Sequence, residues 1–393
     1  MPFAQRLKLL QTNVFAEMDQ AKMRARAAGQ PIVDLSLGSS DLPVAPHVLA
    51  AIAATLPDPD SHGYCLFSGT AAFRVAAARW YSDRFGVTVD PETEVLLLIG
   101  SQEGTAHLPL AVLNPGDIAL VTDPGYPSHA GGVYLASGQI YPLVLRPENH
   151  FLPQFQEIPA AILDRSRLLI LSYPHNPTTA TASLEFWHSA VAFCQHHGLV
   201  LAHDFPYADL TFTDQPAVSV LQADRQKTVA VEFFSFSKSY NMGGFRIGYA
   251  IGKAEIIQAL RQVKASVDFN QYPGIQQGAI AALTGPQDSV NHTLATYRQR
   301  RDTAVAAFHR HGWPVQVPDA TLYLWIRLPE VWSRQSMEFC TRLVATTGIA
   351  LAPGVGFGKA GEGYLRIALV HTPEVLDQAI EGLCQFCREA SDL

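Results

Sequence analysis

Long apolar runs are missing from this chain: none approaches the roughly 20 residues that a membrane-spanning helix needs. An excess of positive charge is missing too. The 28 Lys and Arg are outnumbered by 35 Asp and Glu, for a net charge of −7 at pH 7. No basic block gathers the cations, which argues against nucleic acid as a partner. Cysteine is sparse, 5 in 393 residues, so no disulfide framework is expected. Cys384-Gln-Phe-Cys387 does form a C-x-x-C. It lies inside an amphipathic C-terminal helical pattern with no second cysteine pair, and packing is expected there rather than zinc, whose structural sites normally take four ligands. His196-His197 and His309/His311 fall late in helical patterns, where the helix dipole favours them; no metal site is expected. Met1-Pro-Phe-Ala-Gln-Arg lacks the apolar core of a signal peptide, and a cytoplasmic protein is the expectation. Charged residues are only 16% against 48% hydrophobic, a globular composition long enough for two or three domain-sized units.

What is present is organised around Ser235-Phe-Ser-Lys-Ser-Tyr-Asn-Met-Gly-Gly-Phe-Arg-Ile-Gly248. An apolar run, Val229-Ala-Val-Glu-Phe-Phe, precedes it and reads as a buried strand; Ile247 to Ile251 reads as another. Lys238 therefore sits at a strand end with two hydroxyls before it, Ser235 and Ser237, and a guanidinium after it, Arg246. An amine can form a Schiff base with an aldehyde, while hydroxyls and an arginine fork hold a phosphate. A phosphorylated aldehyde fits that set.

Other stretches have two readings on their own. Ile32-Val-Asp-Leu-Ser-Leu-Gly38 alternates like a short strand, and Gly38 is either a turn glycine or a point of close ligand approach. Val95-Leu-Leu-Leu-Ile reads as a strand buried on both faces, as in a parallel sheet. Gly100-Ser-Gln-Glu-Gly-Thr then opens a helix, as a simple cap or as an anion site. Ile118 to Tyr126 is a strand and turn, and Arg167-Leu-Leu-Ile-Leu-Ser another strand, leading to Tyr173-Pro-His-Asn-Pro-Thr178. Leu199-Val-Leu-Ala-His-Asp204 ends in a carboxylate that is either a helix cap or the partner of a buried cation. Arg366, inside the apolar strand Gly363-Tyr-Leu-Arg-Ile-Ala-Leu, needs an anion, either a protein carboxylate or a ligand. Helices are expected over Val14 to Ala28, Pro46 to Leu56, Thr70 to Phe85, Leu184 to His197, Ala254 to Val267, Pro273 to Leu283, Gln287 to His311 and Trp332 to Thr347. The Gly-x-Gly-x-Gly run at 354–358 opens no helix, so a nucleotide loop is not expected there.

The Ser-x-Ser-Lys of 235–238, with Arg246 and Ile-Gly after it, resembles the lysine signature of class I and II aminotransferases, pyridoxal 5′-phosphate enzymes of fold type I. The resemblance runs from about Phe15 to Phe386. It implies an α/β, aspartate aminotransferase-like fold: a large domain (45–285) with a mostly parallel seven-stranded sheet, a smaller α+β domain (31–44 with 286–393), and an N-terminal arm and helix (1–30). It also implies roles. Lys238 would hold the cofactor and shuttle a proton. Asp204 would face the pyridine nitrogen, Asn176 and Tyr207 the 3′-oxygen, and Tyr126 would stack on the ring. Ser101, Gln102, Ser235, Ser237 and Arg246 would hold the phosphate, with Tyr64 contributed from the other subunit of a homodimer. Gly38, Asn176 and Arg366 would meet the substrate, Arg366 at its α-carboxylate. Asn270 is a weaker candidate on a linker toward the partner's site.

Amino-group transfer between an L-amino acid and a 2-oxo acid such as 2-oxoglutarate or pyruvate is the implied reaction. A C–S β-lyase or aminocyclopropane-carboxylate synthase on the same scaffold is the alternative. Several stretches, among them Gly358-Lys-Ala-Gly-Glu-Gly-Tyr, look most like the LL-diaminopimelate aminotransferase group and its aspartate/alanine-type relatives. Three departures touch the site: Gln102 where that group often has Lys, Cys65-Leu-Phe in place of Pro-Ser-Tyr, and Thr179 where the Asn-Pro-Thr loop usually has Gly.

Overall fold

The computed structural model describes residues 3–10 and 14–391. Met1 and Pro2 of the expected arm, and segment 11–13, lie outside the described residues. In chain order the strands are β1 (Val33–Asp34), β2 (Val95–Leu98), β3 (Ile118–Asp123), β4 (Gln139–Val144), β5 (Ser166–Leu171), β6 (Val200–Asp204), β7 (Ala230–Ser235), β8 (Gly248–Gly252), β9 (Tyr323–Arg327), β10 (Ile349–Ala350), β11 (Ala352–Pro353) and β12 (Tyr364–Ala368). Seven of them form the central sheet in the order β2-β8-β7-β6-β5-β3-β4. β8 runs antiparallel to both neighbours and the other pairs are parallel.

Helices cover both faces of this sheet, so its strands read as continuous apolar runs. β2 shows the effect. Its alternate residues enter two separate cores: Val95 and Leu97 pack with Phe73 and Ala77, while Leu96 and Leu98 pack with Leu108, Ile257 and Leu260. The strand is buried throughout, as its composition demands. It is nevertheless an edge strand paired antiparallel to β8, not the parallel strand the apolar run implied. Burial on two faces reports the covering helices and carries no information on direction.

A third core gathers the rest: β11-β12-β9 as an antiparallel sheet, β1 paired parallel with β10, and the helices Ser336–Thr347 and Pro373–Ser391. Cys384 and Cys387 are buried in it and form no disulfide. The strand expected up to Gly38 stops at Asp34. There the Asp34 carboxylate accepts from the Ser36 N–H at 3.0 Å and the Ser36 hydroxyl at 2.6 Å, a side-chain turn that competes with strand pairing. The helix expected from Trp332 begins at Ser336, after a 3-10 turn over Glu330–Trp332. The Leu184–His197 and Ala254–Val267 helices have the expected bounds.

Candidate active site

At the ends of β5, β6 and β7 lies a cavity of about 460 Å³. It brings together Gly38, Ser101, Gln102, Tyr126, Asn176, Asp204, Tyr207, Ser235, Ser237, Lys238, Arg246 and Arg366, residues scattered over most of the chain. Tyr64 is not among them. It is 87% exposed and rests on Phe269, ring centroids 5.1 Å apart, while Phe67 stacks on the same Phe269 ring. Asn270 and Cys65 also stay outside the cavity; Asn270 Nδ2 donates to the Leu66 carbonyl at 2.6 Å.

Lys238 follows β7 on a single helical turn, Phe236–Ser239, and its Nζ donates to the Gly38 carbonyl. Burial, then the nearby Arg366 and Arg246, push its amine below the usual lysine value, with Tyr323 opposing them. Asp204 ends β6. Its Oδ2 meets His129 Nε2 at 3.0 Å, and its Oδ1 is buried without a partner among the described residues. A carboxylate oxygen in that state fits a ligand N–H. Tyr126 caps the helix Pro127–Leu135 that carries His129, and its ring stands edge-on to that histidine at 5.7 Å.

Gly100 caps the helix Ser101–Val112 with φ of 76° and offers no side chain to the helix end. A Cβ there would lie 2.6 Å from the Arg246 guanidinium. Free N–H groups at a helix start beside an arginine, with Ser235 and Ser237 on the same cavity wall, make an anion site. Behind it, Glu103 Oε2 accepts from the Ile99 N–H at 2.5 Å and Oε1 pairs with buried Lys264 at 2.8 Å, pinning that helix turn. Glu103, His107 and Asp268 come close enough to be weighed as metal ligands, but the Lys264 ammonium binds both carboxylates, the second at 2.9 Å.

Arg366 is 4% exposed. Nη1 donates to Asn176 Oδ1 at 2.8 Å and Nη2 to the Ser36 carbonyl at 2.7 Å. The guanidinium lies 4.2 Å from the Tyr323 ring and 4.6 Å from the Phe357 ring. Its Nε is buried with no acceptor, and among the described residues no carboxylate pairs with it, so the protein-carboxylate reading of this arginine fails. Asn176 sits in a turn where Thr179 takes φ of 65°. That is the left-handed conformation glycine favours, and here a threonine takes it.

Two residues of the site fall in no motif: Tyr323, which lines the cavity, and His129, which stands behind Asp204. Tyr207 OH donates to Tyr323 OH at 3.1 Å. Burial raises the Tyr207 phenol; burial also acts on Tyr323, but Arg366 and Lys238 outweigh it and hold that phenol below the ordinary value. A Cβ on Gly38 would collide with the Tyr323 hydroxyl, so it is this tyrosine that Gly38 admits. The one available signal for His129 is its place as a lone imidazole three positions beyond Tyr126. Tyr323, in a strand of apolar neighbours, reads as core.

A pocketed amine and an arginine-lined anion site at the ends of a mostly parallel sheet, with a second arginine buried on the antiparallel sheet beside it, fit a fold type I transferase. Residues 30–383 match the family described as aminotransferase class I and II, and the chain belongs to that family. It is similar to the LL-diaminopimelate aminotransferase of Dehalococcoides mccartyi, 41% identical over 390 residues that cover 99% of this chain and 100% of that one. Among solved structures, substrate-bound BacF from Bacillus subtilis superposes with a TM-score of 0.93 at 34% identity, over 98% of each chain. A probable N-succinyldiaminopimelate aminotransferase from Thermus thermophilus gives 0.89 at 42% identity, covering 95% of this chain and 99% of that one. The chain is an aminotransferase, moving an amino group between an amino acid and a 2-oxo acid; the lyase or synthase reading is not favoured.

Proposed function

We propose that the cavity takes pyridoxal 5′-phosphate and that the donor is an L-amino acid, with LL-diaminopimelate the first to try and 2-oxoglutarate or pyruvate as acceptor. The observation that carries this reading is the pair of orphaned polar atoms in one cavity: Asp204 Oδ1, suited to a ring N–H, and Arg366 Nε, suited to a carboxylate. Bound there, the cofactor supplies the sink for negative charge at the substrate's Cα. Lys238 Nζ is the covalent anchor, and once released it takes the proton from the donor's Cα as general base. Its lowered amine value favours the neutral form that this task requires. Asp204, braced by His129, keeps the ring nitrogen protonated. Asn176 and Tyr207 steady the 3′-oxygen, and Tyr126 covers the ring face. Ser101, Gln102, Ser235, Ser237 and Arg246 hold the phosphate, and Arg366 holds the α-carboxylate.

The same reading makes the protein a homodimer. Tyr64, Leu66 and Phe269 form an exposed apolar patch that supports a subunit contact, with Tyr64 reaching the partner's phosphate. Division into a large domain (45–285) and a small one (31–44 with 286–393) is supported by the separate cores. No helix among the described residues is long and apolar enough to cross a membrane, and we assign the enzyme to the cytoplasm. Amino acids assayed singly against 2-oxoglutarate and pyruvate test the donor. Turnover of LL-diaminopimelate is the expected result; turnover of alanine or an aromatic amino acid with none of diaminopimelate would leave the reaction class and refute the donor.

A further inference from the structure

His203 and Glu232 are charged-type residues in the interior, both 0% exposed, and the reaction uses neither. They are a matched pair in the parallel β6–β7 register. Strand alternation turns His203 away from the face that Asp204 presents to the cavity, so the pair lies behind the site. Every polar atom of the pair is engaged. His203 Nδ1 meets Glu232 Oε2 at 2.8 Å. Glu232 Oε1 accepts from Tyr81 OH at 2.6 Å, and Oε2 accepts from the Val220 N–H at 3.0 Å. His203 Nε2 lies 2.9 Å from the Tyr173 carbonyl, which can only accept, and 3.4 Å from the Tyr173 N–H; the shorter contact is the one that calls for an Nε2–H. Trp187 and Phe205 close over the imidazole, centroids 4.2 and 4.5 Å away. The other ionisable groups near the pair are the Tyr249 phenol beside Glu232 and, across the sheet, Asp204 with His129.

A buried glutamate is costly unless all its lone pairs are used, and a fully satisfied network is rigid. The location of this one matters. β5 exits through Tyr173 to Asn176, β6 ends at Asp204, and β7 ends at Ser235, which leads to Lys238. One imidazole and one carboxylate thus tie together the three strand ends that carry the site.

We propose that His203 is a positioning residue for the transamination site, its Nε2–H holding the Tyr173 carbonyl and, through it, the Asn176 turn that Arg366 leans on. This rests on the roles of Asn176 and Asp204 proposed above. In the cofactor-free wild-type protein, NMR of ring-labelled histidine should show an Nε2–H on His203 protected from solvent exchange; an Nε2 without a proton overturns the proposal, whatever the function. In the loaded enzyme, His203→Leu should raise the donor KM by about tenfold and displace the pH titration of the bound cofactor's absorbance. His203→Gln, which keeps an N–H near the ε position, should recover most of both. Val191→Ala, on the helix covering the same face, is the packing control. If His203→Leu matches Val191→Ala in KM and absorbance at equal loss of Tm, or if His203→Gln does no better than Leu, the role is structural only and the proposal is wrong. Borohydride fixation of the cofactor to Lys238 should persist in His203→Leu, and its absence in the wild type would indict the functional reading rather than this one.

Discussion

Replacing Arg366 by alanine tests the site at its most buried cation. Of the guanidinium's five N–H bonds, the described protein groups take two, from Asn176 Oδ1 and the Ser36 carbonyl. The Nε–H and one hydrogen on each Nη remain for a carboxylate, and the flanking Tyr323 and Phe357 rings fix the plane in which it must bind. Removing one partner of a buried, bidentate ion pair costs about 3–5 kcal/mol, and each 1.36 kcal/mol is tenfold in rate. Arg366→Ala should therefore lower the donor's kcat/KM by roughly 10²·²- to 10³·⁷-fold. Arg366→Lys keeps the charge and loses the fork; with charged hydrogen bonds at about 1.5–3 kcal/mol, a loss of some ten- to a hundredfold is expected. The assay is initial-rate kinetics with the best donor and 2-oxoglutarate. Borohydride fixation of the cofactor, measured alongside, must stay at the wild-type level, so that the loss belongs to the substrate. A kcat/KM for Arg366→Ala within about threefold of wild type would refute the carboxylate clamp, and the same loss for an amine lacking a carboxylate would refute its specificity.

Lys238→Ala should fold with an unchanged circular dichroism spectrum and fail to retain cofactor after borohydride treatment; label on any other lysine in the wild type would sink the assignment. In the cofactor-free protein, burial and two neighbouring arginines depress the Lys238 amine, so its acylation by an amine reagent should rise with pH with a midpoint below the ordinary lysine value of 10.5; a midpoint at or above that value would refute the environment described. By the same linkage, the unfolded chain binds the extra proton between the two values, so Lys238 makes the cofactor-free protein more stable as pH rises through that window, which thermal unfolding across it would show. Sedimentation should give a dimer with two equivalent sites, and Tyr64→Ala should weaken cofactor retention without unfolding the chain. A fully active monomer at micromolar concentration would contradict the Tyr64 role.

Asp204 and Arg366 stand out in the sequence because each ends or interrupts an apolar run where a polar group needs a reason, whereas Lys238 and Asn176 stand out through the motifs that carry the resemblance. The lysine signature and its spacing then order the rest. Tyr323 is not legible, since a tyrosine in a strand beside Leu322 and Leu324 is indistinguishable from core until the sheet lays it over Arg366. His129 finds Asp204 only across 75 positions of chain, a separation no local pattern reports. The direction of β2 does not follow from its apolar run, because hydrophobicity reports burial alone. The early end of β1 is hidden because Asp34 looks like an outward residue of an alternating strand, whereas its carboxylate turns back to Ser36.

The bond from Arg366 to the Ser36 carbonyl joins residues 330 positions apart, and Lys238 reaches back 200 positions to Gly38. A ribosome emits the chain from the N-terminus at a few to some twenty residues per second, so Gly38 waits through about half of translation, and Ser36 through most of it, before their partners emerge. The seven strands of the central sheet are all complete by Gly252, and the helix that covers Leu96 and Leu98 by Val267, so the sheet, with its lysine and anion site, can close while the arginine proposed to hold the amino acid is still unmade. Such a chain could take up cofactor before it could take up substrate. Competence to bind the ligand that stays would then precede competence to bind the one that turns over, which spares the half-made enzyme from starting a reaction it cannot finish.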